Sequence, residues 1–139
     1  MAFQRDYILR LLDQLREFLQ QITRLRVAER PDDALMAILQ AQERLFGREA
    51  SLFMGLTPEE QFRVLTFGES AGEARAKCVM QADLLSEMAR VYVDKEQQAL
   101  ALGAWQYARQ LLELAAEKFP DADVDARIVA VRREITLLR

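Results

Sequence analysis

The chain predicts an all-α protein, a helical bundle or array of about six helices that closes on a helical hairpin. Three observations carry that prediction. Apolar residues recur at three- and four-residue spacing through most of the 139 positions, the period of an amphipathic helix. The chain holds only 5 Gly and 3 Pro, so few positions break a helix. No stretch alternates strictly, and no Asn-Gly or Asp-Gly pair marks a β-hairpin.

The first helix is expected over 3–26. Ile8, Leu11, Leu15, Phe18, Ile22 and Leu25 recur at 3-4-3-4-3 spacing, a heptad seam. Leu12 and Leu19 widen it into the stripe of a core-facing helix. Arg30-Pro31-Asp32 interrupts the pattern, with Asp32 the expected cap of a second helix over 33–46 and Gly47 its stop. A short apolar segment, 49–54, ends at Gly55. Thr57-Pro58-Glu59-Glu60 then reads as a helix start: Thr57 caps, Pro58 takes the first position and Glu60 completes a capping box. Gly68 stops that helix. Ser70 and Glu73 form a second box, opening a helix over 71–93 with Ala74, Cys78, Ala82, Leu85, Ala89 and Tyr92 inward. The next helix covers 97–119 and stops at Pro120. Asp121 or Asp123 caps the last, over 124–138, with Val124, Ile128, Val131, Ile135 and Leu138 inward. No Ser-, Gly- or Pro-rich linker divides the chain. One domain over 1–139 is expected, with 1–56 and 57–139 as its possible halves and 47–57 as a hinge between them.

Residues 85–108 carry the most organised pattern. Leu85, Met88, Ala89 and Tyr92 are followed by Ala101, Trp105 and Ala108. Small residues at such spacing let two helices approach closely, with a large ring filling the gap. This pattern resembles a tetratricopeptide repeat, a helix–turn–helix unit. Leu85 stands at the family's first aromatic position, Met88-Ala89 at its Leu-Gly, and Tyr92 matches directly. Ala101, Trp105 and Ala108 match the small–large–small face of the second helix. The family's closing proline would fall at Glu113, and here the helix continues. Ala34, Ile38 and Ala41 echo the second half of the pattern earlier in the chain. The layout, an amphipathic first helix, a middle pair and a repeat-like hairpin, is similar to that of some short bacterial proteins. The same residues also suit any packed helical hairpin. The resemblance implies a protein-binding module, since repeat hairpins present concave faces to peptide segments.

Composition narrows the function classes. Net charge is −3 and the isoelectric point about 5.1, a poor match to a nucleic-acid backbone. No apolar run approaches the ~20 residues of a membrane span, and no signal-peptide core follows the N-terminus. The single cysteine, Cys78, fits a cytoplasmic protein without disulfides. Histidine is absent, and with it the commonest general base and metal ligand. Cys78 sits among alanines on an inward face, the setting of a structural thiol. Asp121, Asp123 and Asp125 open like a calcium loop, but Ala126 and Arg132 occupy the places of its glycine and glutamate; capping explains the acids better. Gly103, beside Ala101 and Ala104, reads as a close-packing glycine.

No catalytic, cofactor or metal residues are therefore assigned. The expectation is a non-enzymatic interaction or regulatory module that binds a protein or peptide and self-associates as a homodimer through the Ile8–Leu25 seam. A small-ligand or enzymatic bundle, with a site between helices, is the alternative.

Overall fold

The computed structural model describes residues 2–139, with side chains from Asp6 onward. Those residues form seven helices and no strand: α1 (Ala2–Val27), α2 (Pro31–Phe46), the short α3 (Ala50–Met54), α4 (Pro58–Thr66), α5 (Ala71–Asp94), α6 (Gln98–Lys118) and α7 (Ala122–Leu138). The caps account for most of the boundaries. Gly47 takes the left-handed conformation at φ 66° and donates its N–H to the Glu43 carbonyl, an arrangement that suits a residue without Cβ. Thr57 Oγ1 accepts from the Glu60 N–H at 3.2 Å, and Glu60 Oε1 accepts from the Thr57 N–H at 2.9 Å. Asp121 caps α7 through the N–H groups of Asp123 and Val124. Two expectations differ. Ser70 Oγ accepts from the Glu73 N–H at 3.3 Å, but Glu73 does not return the bond to the Ser70 N–H, so the second box is half formed. Asp32 does not cap α2, because Pro31 already occupies the first turn and Arg30 stands at the cap without a side-chain bond. Asp32 lies instead in the first turn, where its charge meets the helix dipole and the Lys95 ammonium.

α5 is the central helix. It packs against α1, α2, α4 and α6, while α7 packs on α6. Its burial therefore exceeds the single stripe expected. Met80, Gln81, Leu84, Met88 and Val91 are buried as well as Ala74, Cys78, Ala82, Leu85 and Ala89. One continuous core draws on all seven helices. The 47–57 segment joins it through Phe53, and the Tyr107 hydroxyl donates to the Leu56 carbonyl at 2.6 Å.

Two hairpins, α1–α2 and α5–α6, turn in the same way. Glu29 and Glu96 both sit at φ 58°. The following residues, Arg30 (φ −117°, ψ 67°) and Gln97 (φ −106°, ψ 70°), start the second helices. In both, the residue after the left-handed glutamate donates back over a full turn, Arg30 to Leu25 and Gln97 to Tyr92, as in a Schellman closure. Glu29 is offset from Glu96 as Ala34 is from Ala101, Ile38 from Trp105 and Ala41 from Ala108. All six of those paired helix residues are buried.

The hairpin residues Leu85, Met88, Ala89, Ala101, Trp105 and Ala108 are buried, and Tyr92 is half-buried. Of the α1 seam, Leu11, Leu15 and Ile22 lie in the chain's own core, and Ile8, Phe18 and Leu25 pack half-buried against it. Gly103 is exposed, and a Cβ there would meet nothing within 4 Å. It is not a packing glycine: Ala101 and Ala104 face inward and Gly103 falls between them on the outward side.

Candidate functional site

Two polar clusters lie on α5. The first is sealed. Gln42 of α2, Gln61 of α4 and Gln81 of α5 are all 0% exposed. Gln42 Nε2 donates to Gln81 Oε1 at 3.2 Å, Gln81 Nε2 to Gln61 Oε1 at 3.1 Å, and Gln61 Nε2 to the Phe53 carbonyl at 2.9 Å. Gln42 Nε2 also reaches Met54 Sδ at 3.1 Å. Each amide nitrogen has an acceptor, and only Gln42 Oε1 is left without a donor. Amides do not titrate near neutral pH, and this group is closed to solvent. It ties three helices and α3 together and offers no chemistry.

The second cluster is open. A cleft of about 200 Å³ runs across α5 between α1 and α7. Its floor is Ala82, Asp83, Ser86, Glu87 and Arg90. Leu19 stands on the α1 side; Arg127, Ala130 and Glu134 form the α7 wall; Trp105 of α6 lies beneath. A shallower extension continues past Arg26 and Arg90 to Val93, Leu137 and Leu138. Ala82 and Ser86 are small, which opens the space. Ser86 directs its hydroxyl back to the Ala82 carbonyl at 2.8 Å.

Ion pairs stitch this cleft. Arg127 bonds Asp83 across the gap and Asp123 on its own helix, the latter at 3.0 Å. Arg26 reaches from α1 to Asp94 at 2.8 Å. Arg90 bonds Glu87 Oε1 at 2.8 Å, and its guanidinium lies 5.2 Å from the centre of the Trp105 ring, a cation–π distance. Burial pushes the Asp83 carboxyl above its ordinary value, outweighing the attraction of Arg127. Arg127 is held above its own ordinary value: burial opposes its charge, and Asp83 and Asp123 more than compensate.

Other candidates carry no chemistry. Cys78 is fully buried and its thiol is pushed up to about 12 by that burial, far from the thiolate a reactive cysteine needs. Tyr107 is raised by burial and by Glu59 and Glu60, so its hydroxyl stays a donor. Lys77 is buried and donates to Glu69 at 3.1 Å. Among the described residues, no three His, Cys, Asp or Glu side chains converge to hold a metal ion, and no helix is long and apolar enough to cross a membrane.

The hairpin motif thus lies under the cleft rather than in it: of its residues only Trp105 lines the space. The residues that do line it were missed by apolar periodicity. Their signal is present nonetheless. Between Val79 and Val93 the only charged residues are Asp83, Glu87 and Arg90, a stripe at four- and three-residue spacing on an otherwise apolar helix. Comparison of the chain with protein-family models, with curated protein sequences and with solved structures returned no match.

Proposed function

We propose that this protein is a non-enzymatic, repeat-like interaction module whose working surface is the cleft over α5. The observation that carries the reading is that cleft itself, open along α5 and framed by α1 and α7. The matching turns of α1–α2 and α5–α6 support the repeat-like description. The tetratricopeptide likeness of Leu85–Ala108 supplies a reason for a face of this kind to bind peptide segments. We place the module in the cytoplasm on its single buried thiol.

The test is capture of a partner from the native host with two single variants. Ala130→Arg fills the cleft from an exposed position on α7 and removes no side chain that makes an ion pair. Met36→Arg alters the exposed far side of α2. A partner held by the unmodified protein and by Met36→Arg, and lost from Ala130→Arg, is the expected outcome. Equal capture by both variants would remove the cleft from the reading.

Self-association belongs to the same proposal in a narrower form. With Leu11, Leu15 and Ile22 inside the chain's own core, α1 has Leu9, Ile8, Phe18 and Leu25 left to offer a second copy. A monomer mass in sedimentation ends that part. A second reading, a small-molecule site, is favoured by the meeting of Asp83, Glu87 and Glu134 with Arg90 and Arg127. The cleft is smaller than the ~300–1,000 Å³ usual for ligand pockets, so the interaction reading stands first.

A further inference from the structure

The sealed amide cluster holds more donors than strong acceptors. Each glutamine nitrogen carries two hydrogens. Gln42 spends one on Gln81 Oε1, Gln81 one on Gln61 Oε1, and Gln61 one on the Phe53 carbonyl. The second contact of all three goes to a single atom, Met54 Sδ, at 3.1 Å from Gln42 and 3.9 Å from both Gln61 and Gln81. A thioether is a weak acceptor. Three N–H groups on fully buried side chains therefore share one weak partner, and under-satisfied buried donors are costly. The one acceptor left over, Gln42 Oε1, has no donor within reach.

One oxygen added to that sulfur would correct the imbalance, because a sulfoxide is polar where the thioether is not. The distances allow it. An S=O bond of ~1.5 Å, bent onto an N–H···O contact of ~2.9 Å, spans about 4 Å from sulfur to nitrogen. That is the separation found for Gln61 and Gln81. Gln42, closer in, can stay on the sulfur itself. Access also sets Met54 apart. Met80 and Met88 are buried, and Met36 is exposed on the far side of α2. Met54 is half-buried on the five-residue α3, which packs chiefly on α2. Local opening of so short an element admits a molecule about the size of water.

We propose that Met54 is an oxidation site for peroxide, whose sulfoxide is held by the Gln61 and Gln81 amides and fastens α3 to the junction of α2, α4 and α5. Hydrogen peroxide is the only co-reactant needed. A sulfur lone pair attacks one peroxide oxygen, and the S–O bond forms as the O–O bond breaks. The departing hydroxide takes the proton of the transferred oxygen and leaves as water. Sulfur is oxidised and peroxide is reduced. Oxidation of a packed methionine ordinarily disrupts a core; here the surrounding donors reverse the sign. The amides do no chemistry themselves, but they decide what oxidation does to the fold. This site shares no residue with the cleft, so either can fail alone.

The experiment treats the folded Met36→Leu protein, which lacks the exposed competitor, with hydrogen peroxide. Peptide mass mapping follows each methionine, and denaturant unfolding follows the product. Met54 should gain one oxygen before Met80 and Met88 do. The Met54-oxidised protein should unfold at higher denaturant, its folding equilibrium constant raised about fivefold, the worth of one hydrogen bond. The side-chain amide resonances of Gln61 and Gln81 should move downfield with the same time course. In a variant with Gln61→Leu and Gln81→Leu together, oxidation of Met54 should instead lower stability. Met80 or Met88 reacting with or before Met54 overturns the assignment. So does an oxidised protein less stable than the untreated one, or amide resonances unmoved by oxidation of Met54. A double variant that gains as much from oxidation as its parent would place the gain elsewhere and overturn it as well. If the double variant does not fold, the order of oxidation and the amide resonances decide alone.

Discussion

The amide cluster and the charged cleft sit on different faces of the same helix and handle buried polarity in opposite ways. Gln81 faces the junction of α2, α3 and α4, where neutral groups satisfy one another and water is excluded. Asp83, Glu87 and Arg90 face the space between α1 and α7, where charges pair across helices and one carboxylate oxygen, Glu87 Oε2, is left without a hydrogen bond. The first arrangement fixes structure. A closed chain of hydrogen bonds rewards one packing of three helices and leaves nothing for a ligand. The second keeps charged groups, Glu134 among them, at an accessible place, which is what recognition requires. Several variants test whether that division is real.

The largest effect is expected beneath the cleft. Trp105 is 3% exposed and fills the α5–α6 contact. Trp105→Ala should cost about 3–5 kcal/mol through lost transfer energy and a large cavity, read from denaturant unfolding. Stability close to the unmodified protein would show that the ring is a lining residue only, and the boundary between core and cleft would move.

Next comes the sealed cluster. Gln81→Ala strips the acceptor from Gln42 and the donor from Gln61. Each buried group left unpaired costs about 1–3 kcal/mol. Replacing Gln42, Gln61 and Gln81 together by Leu or Met removes both sides of every bond. That triple variant should recover much of the loss despite carrying more substitutions, since apolar replacement of a whole buried network is often close to neutral. A triple variant less stable than the single one would mean that the amides do more than satisfy each other.

A calibration lies outside both regions. Gly103 is helical, exposed and without neighbours for a Cβ. Gly103→Ala should therefore stabilise by about 0.4–1 kcal/mol, mostly by restricting the unfolded chain. Destabilisation would show that Gly103 approaches something after all.

These contrasts also mark what the sequence could express. Local rules placed the helices well. Gly47, Thr57-Pro58-Glu60, Asp121 and Pro120 act on residues one to four positions away, and such signals survive without tertiary context. Asp32 failed as a cap because two local rules competed and Pro31 won. The amide cluster left a fainter trace. Gln42 lies between Ile38 and Leu45, and Gln81 between Cys78 and Leu85, each on the apolar phase of its helix. Which distant glutamine answers which is a long-range fact that no spacing encodes. The Asp83–Glu87–Arg90 stripe was legible as charge on a buried helix, but Arg127 and Glu134 join it only because α7 returns across α6 to face α1. Gly103 misled for a related reason: small residues at close contacts and small residues on open faces look alike in a list.

The smallest expected effect is also the most pointed, because it asks whether the cleft charges contribute to folding. Asp83 bonds Arg127, and a close ion pair invites the view that it holds α7 to α5. The direction of its proton equilibrium argues otherwise. Its carboxyl is raised in the folded protein, first by burial, so the native state binds its proton more tightly than the unfolded chain does. By linkage, the stability that this group contributes is fully present below the unfolded value. It is lost as pH rises through the folded value, a window that begins at the ordinary carboxylate range and extends above it. At neutral pH the ionised Asp83 is then no asset. Asp83→Asn should change stability at pH 7 by no more than about 0.5 kcal/mol, with Arg127 kept in place by Asp123 at 3.0 Å. The difference between the unmodified protein and the variant should fall as pH rises through that window and stay flat above it. Unfolding curves at a series of pH values read this directly. A loss of several kcal/mol at pH 7, or a difference that grows as pH rises, would make the Asp83–Arg127 pair structural. The cleft would then resemble the sealed cluster on the other face of α5, and the contrast between the two would fail.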